Sequence, residues 1–304
     1  MAGTMMNDPL FDELDRLLRG GPASLKRKRF EMASCGAEHT AAVVEDGRLF
    51  VWGSGRYGQL GFSDGPTAVL EPRWLAGGQC ESCRALPQAG GVQAGMLLAA
   101  AGDKHTGFLT ESNDFYMCGS GAFGQLGAGD RTDRTAPTLL SKALFAGAAV
   151  EMVACGAFHT AALARDGGVW TWGRGASGQL GHGSRTDLSV PTRVTAARFD
   201  HARVLMLAAG GSHTMALSDE GGVFTCGCGM HGRLGLGGAE HDELLPRRLA
   251  KEHFAGAKLC FVAAGDWTSV AVTDNGQLYV WGAGLVGTSV RACVLFPASH
   301  ARKH

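Results

Sequence analysis

A short pattern of apolar and turn residues recurs five times along the chain. Each copy has a run of small and apolar residues, as at 40–44, then an acid-Gly or Asn-Gly pair, then a second apolar run, as at 49–52. Two apolar runs separated by such a pair predict a β-hairpin, because the tight turn requires positive φ. The second copy carries Asn113 where the others have glycine, and asparagine tolerates this conformation better than most residues.

Two anchor positions fix the length of the repeat. Each hairpin ends at a Gly that follows Trp or Cys, and these glycines are 66, 54, 54 and 55 residues apart. In four copies a His-Thr pair starts 14 positions before that Gly, whereas the fifth copy has Thr268 in place of His. Such agreement indicates a repeat architecture. The motif residues are His39, Thr40, Gly47, Trp52, Gly53, His105, Thr106, Gly119, His159, Thr160, Gly167, Trp172, Gly173, His213, Thr214, Gly221, Gly227, Gly276, Trp281 and Gly282.

The repeat predicts an all-β fold, a β-propeller with five recognisable blades of about four strands. An aromatic residue follows an apolar one in every return strand, as in Leu49-Phe50, so both faces of each sheet are predicted to be covered. Stacked blades provide that environment. The predicted units are 31–75, 95–140, 150–195, 204–249 and 260–296 within a propeller spanning 31–304. The sequence leaves open whether the five blades close a ring, form an open ring or belong to a longer protein.

A Gly-x-Gly-x-x-Gly pattern begins at Gly53 and recurs in all five copies. The dinucleotide fingerprint needs a single βαβ unit with a following helix, whereas Gly-Gln-Leu-Gly follows here in three copies and predicts a turn. We therefore interpret the pattern as a structural loop and predict no cofactor.

The motif Cys-Gly-x-x-His-Thr, followed by Asp-Gly and Trp-Gly-x-Gly-x-x-Gly-Gln-Leu-Gly, spans residues 35–61 and resembles the repeat of the regulator of chromosome condensation family. The resemblance extends over about residues 31–287. It implies a β-propeller with one blade per repeat, usually seven. The fifth copy departs from the pattern because it lacks His-Thr and Gln-Leu-Gly, and residues 288–304 match no repeat. Residues 290–296 are a candidate for one last strand.

Two segments lie outside the repeat. The first linker has 12 extra residues, within the insert 76–94, which contains Cys80 and Cys83. Structural zinc needs four ligands, so one Cys-x-x-Cys pair favours a flexible insert or a contact loop over a metal site. The N-terminal tail, residues 1–30, predicts a short amphipathic helix capped by Asp8. This segment is packed on the propeller, frayed or docked to a partner.

A basic run closes the N-terminal tail. Its residues are Lys26, Arg27, Lys28 and Arg29. The run is either a solvated charge cluster, a nuclear-import signal or a nucleic-acid contact. Over the whole chain, this run included, 28 basic residues balance 28 acidic ones, which argues against a nucleic-acid-binding surface on the whole domain.

The composition of the chain also predicts the cellular compartment of the protein. The nine cysteines do not form a disulfide framework, no secretory signal follows Met1, and no apolar run is long enough for a bilayer. We predict a cytoplasmic or nuclear protein without membrane contact.

The four His residues are predicted to lie around the propeller, where they hydrogen-bond backbone groups within their own blades together with the adjacent Thr. No catalytic motif is present, so the leading hypothesis is a non-catalytic scaffold that presents propeller loops, such as 130–134, 184–189 and 237–243, to a protein partner. The resemblance implies an alternative, guanine-nucleotide exchange on a Ran-like small GTPase, with the insert as a wedge.

A third hypothesis, ultraviolet-B photoreception, is disfavoured. The related plant receptor uses Trp just after the first Gly of the repeat, and these positions here hold Ala37, Asp103, Ala157 and Gly211.

Overall fold

The computed structural model describes residues 30–63, 67–75, 88–89, 92–93, 95–237 and 240–283. The described residues contain five antiparallel blade sheets, which follow one another along the chain and pack side by side around a common axis, and one small two-stranded sheet. The prediction of an all-β propeller is confirmed. The N-terminal helix, the basic run and the candidate last strand at 290–296 lie outside the described residues.

Four blades have four strands each, in the order of the chain from the axis outward. Blade 1 is β1 (Phe30–Cys35), β2 (His39–Val44), β3 (Leu49–Ser54) and β4 (Ala68–Trp74), and the insert adds the small hairpin β5 (Gln88–Ala89) and β6 (Val92–Gln93). Blade 2 is β7 (Met96–Ala101), β8 (His105–Thr110), β9 (Phe115–Gly119) and β10 (Arg134–Leu140). Blade 3 is β11 (Val150–Cys155), β12 (His159–Ala164), β13 (Val169–Gly173) and β14 (Leu188–Val194).

Blade 4 is β15 (Val204–Ala209), β16 (His213–Ser218), β17 (Val223–Gly227) and β18 (Glu243–Arg248). Blade 5 contains three described strands, β19 (Leu259–Ala264), β20 (Thr268–Thr273) and β21 (Leu278–Gly282). It therefore differs from the expected four strands within the described part of the chain.

The hairpin between the second and third strand of each blade has the predicted geometry. Gly47 and its equivalents have φ between 73° and 84°, and Asn113 has φ 57°. The exception in the sequence therefore adopts the left-handed conformation that the turn requires.

Packing between the blades forms the core. The second strands of blades 1–4 are buried along their whole length. Short 3-10 helices at Lys142–Phe145, Ala196–Phe199 and Lys251–Phe254 each bury a Phe under the outer part of a blade junction. Phe145 contacts Phe115 and Trp172 at ring-centroid distances of 6.0 Å each, which joins blade 2 to blade 3.

The strands run between two ends of the propeller. We call one the loop end: it holds the turns between first and second strands, such as 36–38, and the loops between third and fourth strands, such as 120–133. The opposite, hairpin end holds the hairpin turns and the connections from blade to blade. The insert 76–94 joins two blades, so both of its ends start from the hairpin end.

Candidate protein-interaction site

The four repeat histidines join neighbouring blades. Each Nε2 lies within hydrogen-bond distance of a hydroxyl on the next blade, at 2.7–3.0 Å: His39 with Thr106, His105 with Thr160, His159 with Thr214, and His213 with Ser269. This differs from the expectation that these residues bond backbone groups within their own blades. Sequence alone could not show it, because the start of each second strand faces the next blade.

Each hydroxyl in turn donates to a backbone carbonyl of the blade that carries the His. Thr160 Oγ1 donates to the carbonyl of Gln125 at 2.9 Å, and Thr214 Oγ1 donates to Gln179 at 2.7 Å. Since the hydroxyl hydrogen is used in this bond, the imidazole Nε2 must carry the hydrogen donated to the hydroxyl. Each His is therefore the neutral Nε2–H tautomer, and Nδ1 has no partner in the described structure.

Burial keeps these imidazoles neutral. It lowers the pKa of His39 and His159 to about 4, and that of His105 and His213 to about 3. The imidazoles are buried and their hydrogen bonds join blades, which assigns them a structural role.

The Trp-or-Cys position of the repeat has one common role. Trp172 Nε1 donates to the Gln125 carbonyl at 2.8 Å, and Trp281 Nε1 donates to the Arg233 carbonyl at 3.0 Å. In the copies with Cys, the thiols of Cys118 and Cys226 lie 3.5 and 3.6 Å from the equivalent carbonyls. Trp and Cys can therefore replace each other at this position, because at Trp172, Trp281, Cys118 and Cys226 both residue types donate to the preceding blade.

Close approach explains the first Gly of the repeat. A Cβ on Gly156 would collide with the carbonyl of Gly210 on the next blade, and Gly36, Gly102 and Gly210 have the same relation to their neighbours. The Gly-x-Gly loops form turns, in which Gly58 and Gly61 bond the carbonyls of Gly55 and Gly58.

The loop end covers three of the four junctions with paired side chains. In each pair, the residue just before the third Gly of a Gly-x-Gly-x-x-Gly loop contacts a residue of the next blade. That second residue lies just before the His position of the repeat. Tyr57 meets Lys104, whose Nζ lies 4.3 Å from the ring centroid. Phe123 meets Phe158 edge to face at 5.3 Å, and His231 stacks on Trp267 at 5.3 Å. The third junction has Ser177 and Ser212 at these positions.

Two further residues extend these pairs. The Arg174 guanidinium lies over both Phe123 and Phe158, at 5.1 and 5.8 Å from their centroids. Met230 and Trp267 are 52% and 53% exposed, so they add apolar surface to the loop end next to these pairs. We call this set the aromatic patch: Tyr57, Lys104, Phe123, Phe158, Arg174, Met230, His231 and Trp267.

The loops predicted to contact a partner share the loop end with the aromatic patch. Ion pairs hold them in place: Arg134 pairs with Asp130, and Arg131 and Arg185 reach Asp187 and Asp242. The patch therefore has a polar rim, like many protein interfaces.

The other residues predicted to contact a partner are not placed. Cys80 and Cys83 of the insert, and Lys26, Arg27, Lys28 and Arg29, lie outside the described residues. Part of the insert forms the hairpin of β5 and β6, so it is not wholly irregular as expected.

Sequence reasoning did not find the aromatic patch. The signal was present, because the residues before the His position vary from Glu38 to Trp267 while their neighbours repeat. Only the packing of one blade on the next shows that the residue before the His position contacts the residue before the third loop Gly of the preceding blade, which also varies.

Comparison with known proteins matches the repeat directly. The model of the "Regulator of chromosome condensation (RCC1) repeat" matches residues 113–163, 166–217 and 220–272, and a second model of that description matches 33–59, 152–179 and 260–287. The chain belongs to the RCC1 repeat family. Its five hairpins are therefore RCC1 blades.

Curated relatives share this propeller region. The ultraviolet-B receptor UVR8 of Arabidopsis thaliana is 34% identical over 82% of this chain and 52% of its own length. The mitochondrial RCC1 domain-containing protein RUG3 of the same species is 32% identical over 81% of this chain and 52% of its own length. The chain thus spans about half the length of these two relatives.

Solved structures show the same fold. Human WBSCR16 superposes with a TM-score of 0.72 at 26% identity, over 90% of this chain and 65% of its own. Prp20p of Saccharomyces cerevisiae, a structure reported with its binding to Gsp1p and histones, gives 0.65 at 23% identity, over 86% and 57%. At that identity Prp20p supports the fold alone.

The positions that would need tryptophan for photoreception lie around the axis at the loop end. Asp103 and Ala157 line a narrow pocket there, together with Gly36 and Gly210. The likeness to the ultraviolet-B receptor thus lies in the repeat, whereas these positions carry no aromatic residue.

Among the described residues no three His, Cys, Asp or Glu side chains are grouped to hold a metal, and no helix is long and apolar enough to span a bilayer.

Proposed function

We propose that this RCC1 propeller is a non-catalytic scaffold that binds a protein partner through the aromatic patch at its loop end. The observation that carries the proposal is the difference between the buried residues of each blade junction and the residues that cover the junction at the loop end. The buried bonds repeat at all four junctions, whereas the residues above them differ at each junction.

The chemistry of the patch supports a protein ligand. Aromatic residues and Arg are enriched among the residues that dominate binding energy, and Lys, Glu and Ser are depleted. Phe123, Phe158 and Arg174 are mutually packed, so they lose little side-chain freedom on binding. Trp267 and Met230 provide the exposed apolar surface that a partner would cover.

The test is affinity capture with matched variants of the full chain. Trp267→Ala combined with Met230→Ala removes exposed apolar surface from the loop end. Leu97→Ala combined with Leu205→Ala is the control, because these residues are 46% and 51% exposed at the hairpin end of their strands. We expect the loop-end variant to lose captured proteins that the control retains. Equal capture by both variants would reject the aromatic patch as the binding surface.

Guanine-nucleotide exchange remains the second prediction, supported by the fold shared with Prp20p and its reported binding to Gsp1p. Its test is release of fluorescent guanine nucleotide from Ran and related GTPases at catalytic amounts of this protein. Deletion of residues 76–94 should abolish release if the insert is the wedge. Acceleration that survives this deletion would remove the insert from the mechanism.

A cytoplasmic or nuclear location also stays a prediction. Fluorescence microscopy of the full chain, with residues 26–29 intact or changed to Ala, tests whether the basic run directs nuclear import.

A further inference from the structure

Arg233 occupies a position that is Gln in the three preceding blades. Gln59, Gln125 and Gln179 follow the third Gly of their loops, and each Oε1 accepts a hydrogen bond at 2.9 Å from the backbone N–H two residues earlier. Arg has no acceptor atom. At Arg233 the polarity is therefore reversed, and Nε donates to the carbonyl of Met230 at 3.0 Å.

The guanidinium of this residue lies beneath the stacked pair His231 and Trp267. Met230 directly precedes His231, and Nη1 donates at 3.1 Å to the carbonyl of Asp266, which directly precedes Trp267. These bonds join the loop of blade 4 to the first turn of blade 5. His231 has φ 61°, a left-handed conformation that is uncommon outside Gly, so the reversed bond accompanies a changed loop backbone.

The positive charge has no acidic partner among the described residues. Arg233 is only 5% exposed, yet no described carboxylate forms an ion pair with it. The two carbonyl bonds use two of its five N–H groups, and Nη2 makes no hydrogen bond to a described residue. Burial, and then the charge of Arg233, lower the pKa of His213 to about 3. Since buried charges in proteins are ordinarily paired, this guanidinium is set apart from its surroundings.

The unbonded edge of the guanidinium keeps access to solvent. The buried polar atoms without a partner in the described structure include Nε2 of Gln59 and Gln125 but no atom of Arg233. A partner that covers Trp267 and Met230 would remove that water, because these two residues lie on either side of the guanidinium. The complex then bears the cost of a dry, unpaired charge unless the partner supplies an acceptor.

We propose that Arg233 is the specificity-determining residue beneath the aromatic patch, and that it binds an acidic side chain, Asp or Glu, of the protein partner. This inference rests on the scaffold function proposed above. The guanidinium is planar, so Nη1 and Nη2 can hold both oxygens of one carboxylate.

The other cations of the loop end favour a carboxylate over a phosphate group. Arg131, Arg134 and Arg185 are already paired with Asp residues, and Arg174 stacks on two Phe rings. One free guanidinium balances one carboxylate, whereas a phosphate group carries more than one negative charge.

Selection from a display library of random peptides on the full-length protein tests the proposal. The wild type should enrich peptides with Asp or Glu beside an apolar residue about tenfold over the unselected library. Arg233→Gln introduces the residue type of the other three blades, so this variant should keep the fold and select peptides without the acidic preference. Equal acidic preference in the two proteins would overturn the proposal, as would a wild type that selects no acidic peptides.

Titration with one selected peptide separates a direct contact from a general effect of charge. Replacing its acidic residue by the matching amide should weaken binding to the wild type about tenfold, and binding to Arg233→Gln by less than about twofold. Arg131→Gln is the matched control, because it removes a loop-end charge that already pairs with Asp187, and it should show the full loss. No loss in the wild type, or equal losses in wild type and Arg233→Gln, would contradict the contact.

Trp267→Ala combined with Met230→Ala distinguishes this proposal from the scaffold function. A peptide that loses affinity for this double variant but not for Arg233→Gln would keep the aromatic patch and reject the acidic contact. Retained affinity for the double variant would reject the aromatic patch itself. Inorganic phosphate that displaces the peptide from the wild type but not from Arg233→Gln would assign the guanidinium to a phosphate group, which also contradicts the proposal.

Discussion

The buried junctions and the loop end that covers them follow different rules. At all four junctions an imidazole donates to a hydroxyl of the next blade, and that hydroxyl donates to a backbone carbonyl of the blade that carries the imidazole. Directly above, the covering pair changes from Tyr-Lys to Phe-Phe, to Ser-Ser and to His-Trp. The comparison teaches that one part of the repeat maintains blade spacing while the residues that cover it differ from junction to junction.

Lowering the pH should have the largest effect on the free energy of unfolding, through the four buried histidines at the junctions. The folded-state pKa of the four histidines is about 3 or 4, against 6.5 for an unperturbed His, so the unfolded chain binds more protons between these values. Their contribution to stability is complete above pH 6.5 and is lost as the pH falls towards 4. Each His adds a slope of up to about 1.4 kcal/mol per pH unit.

Urea denaturation at pH 7, 6 and 5 measures this slope. His105→Gln should make it shallower by about one proton. A slope that does not change in this variant would contradict a neutral, buried His105.

Adding one methyl group inside a junction should have the next largest effect. Gly156→Ala places a Cβ against the Gly210 carbonyl, so we expect a loss of about 3 kcal/mol in the free energy of unfolding. Gly147→Ala is the matched control, because Gly147 has φ 80° and an open surrounding, and should cost only about 1 kcal/mol. Similar losses in the two variants would show that close blade approach is not limiting.

Removing one hydroxyl should have a smaller effect. Thr214→Val keeps the side-chain shape but leaves His159 Nε2–H and the Gln179 carbonyl without this partner, so we expect a loss of about 2 kcal/mol. Thr192→Val, at a partly exposed outer strand, should stay within about 0.5 kcal/mol. Denaturant titration compares them, and equal stabilities would remove the hydroxyl from the network.

The smallest effect on stability is expected at the aromatic patch. Trp267→Ala removes a half-exposed ring whose described ring contact is His231, so the free energy of unfolding should change by less than about 1 kcal/mol. The same change should weaken partner binding at least tenfold, as expected for a Trp at the centre of an interface. Thermal denaturation and a binding titration on one sample separate the two effects. A large loss of stability would assign Trp267 to the fold instead.

Local signals predicted the blades, and contacts between blades escaped prediction. Four hairpin turns follow from acid-Gly and Asn-Gly pairs, and the fifth follows from the tolerance of Asn113 for the left-handed conformation. The partners of His159 and Trp172 lie 55 and 47 residues away in sequence, on other blades. No single repeat contains that information, which is why the histidines were expected to bond within their own blades.

The fifth blade shows the same limit. Its departures from the motif, Thr268 in place of His and a loop without Gln-Leu-Gly, are visible in the sequence. The structure adds what the motif does not show: Leu278 and Val280 are 64% and 57% exposed, whereas the equivalent Leu49 and Val51 are buried.

Hydrogen exchange of the protein with and without its captured partner tests the central claim most directly. The account predicts new protection at the loop-end turns 36–38, 102–104, 156–158 and 265–267 and in the loops 55–58 and 121–124. It predicts none at the hairpin turns 45–48, 165–168 and 219–222. Protection confined to the hairpin end would contradict the assignment of the aromatic patch as the partner-binding surface.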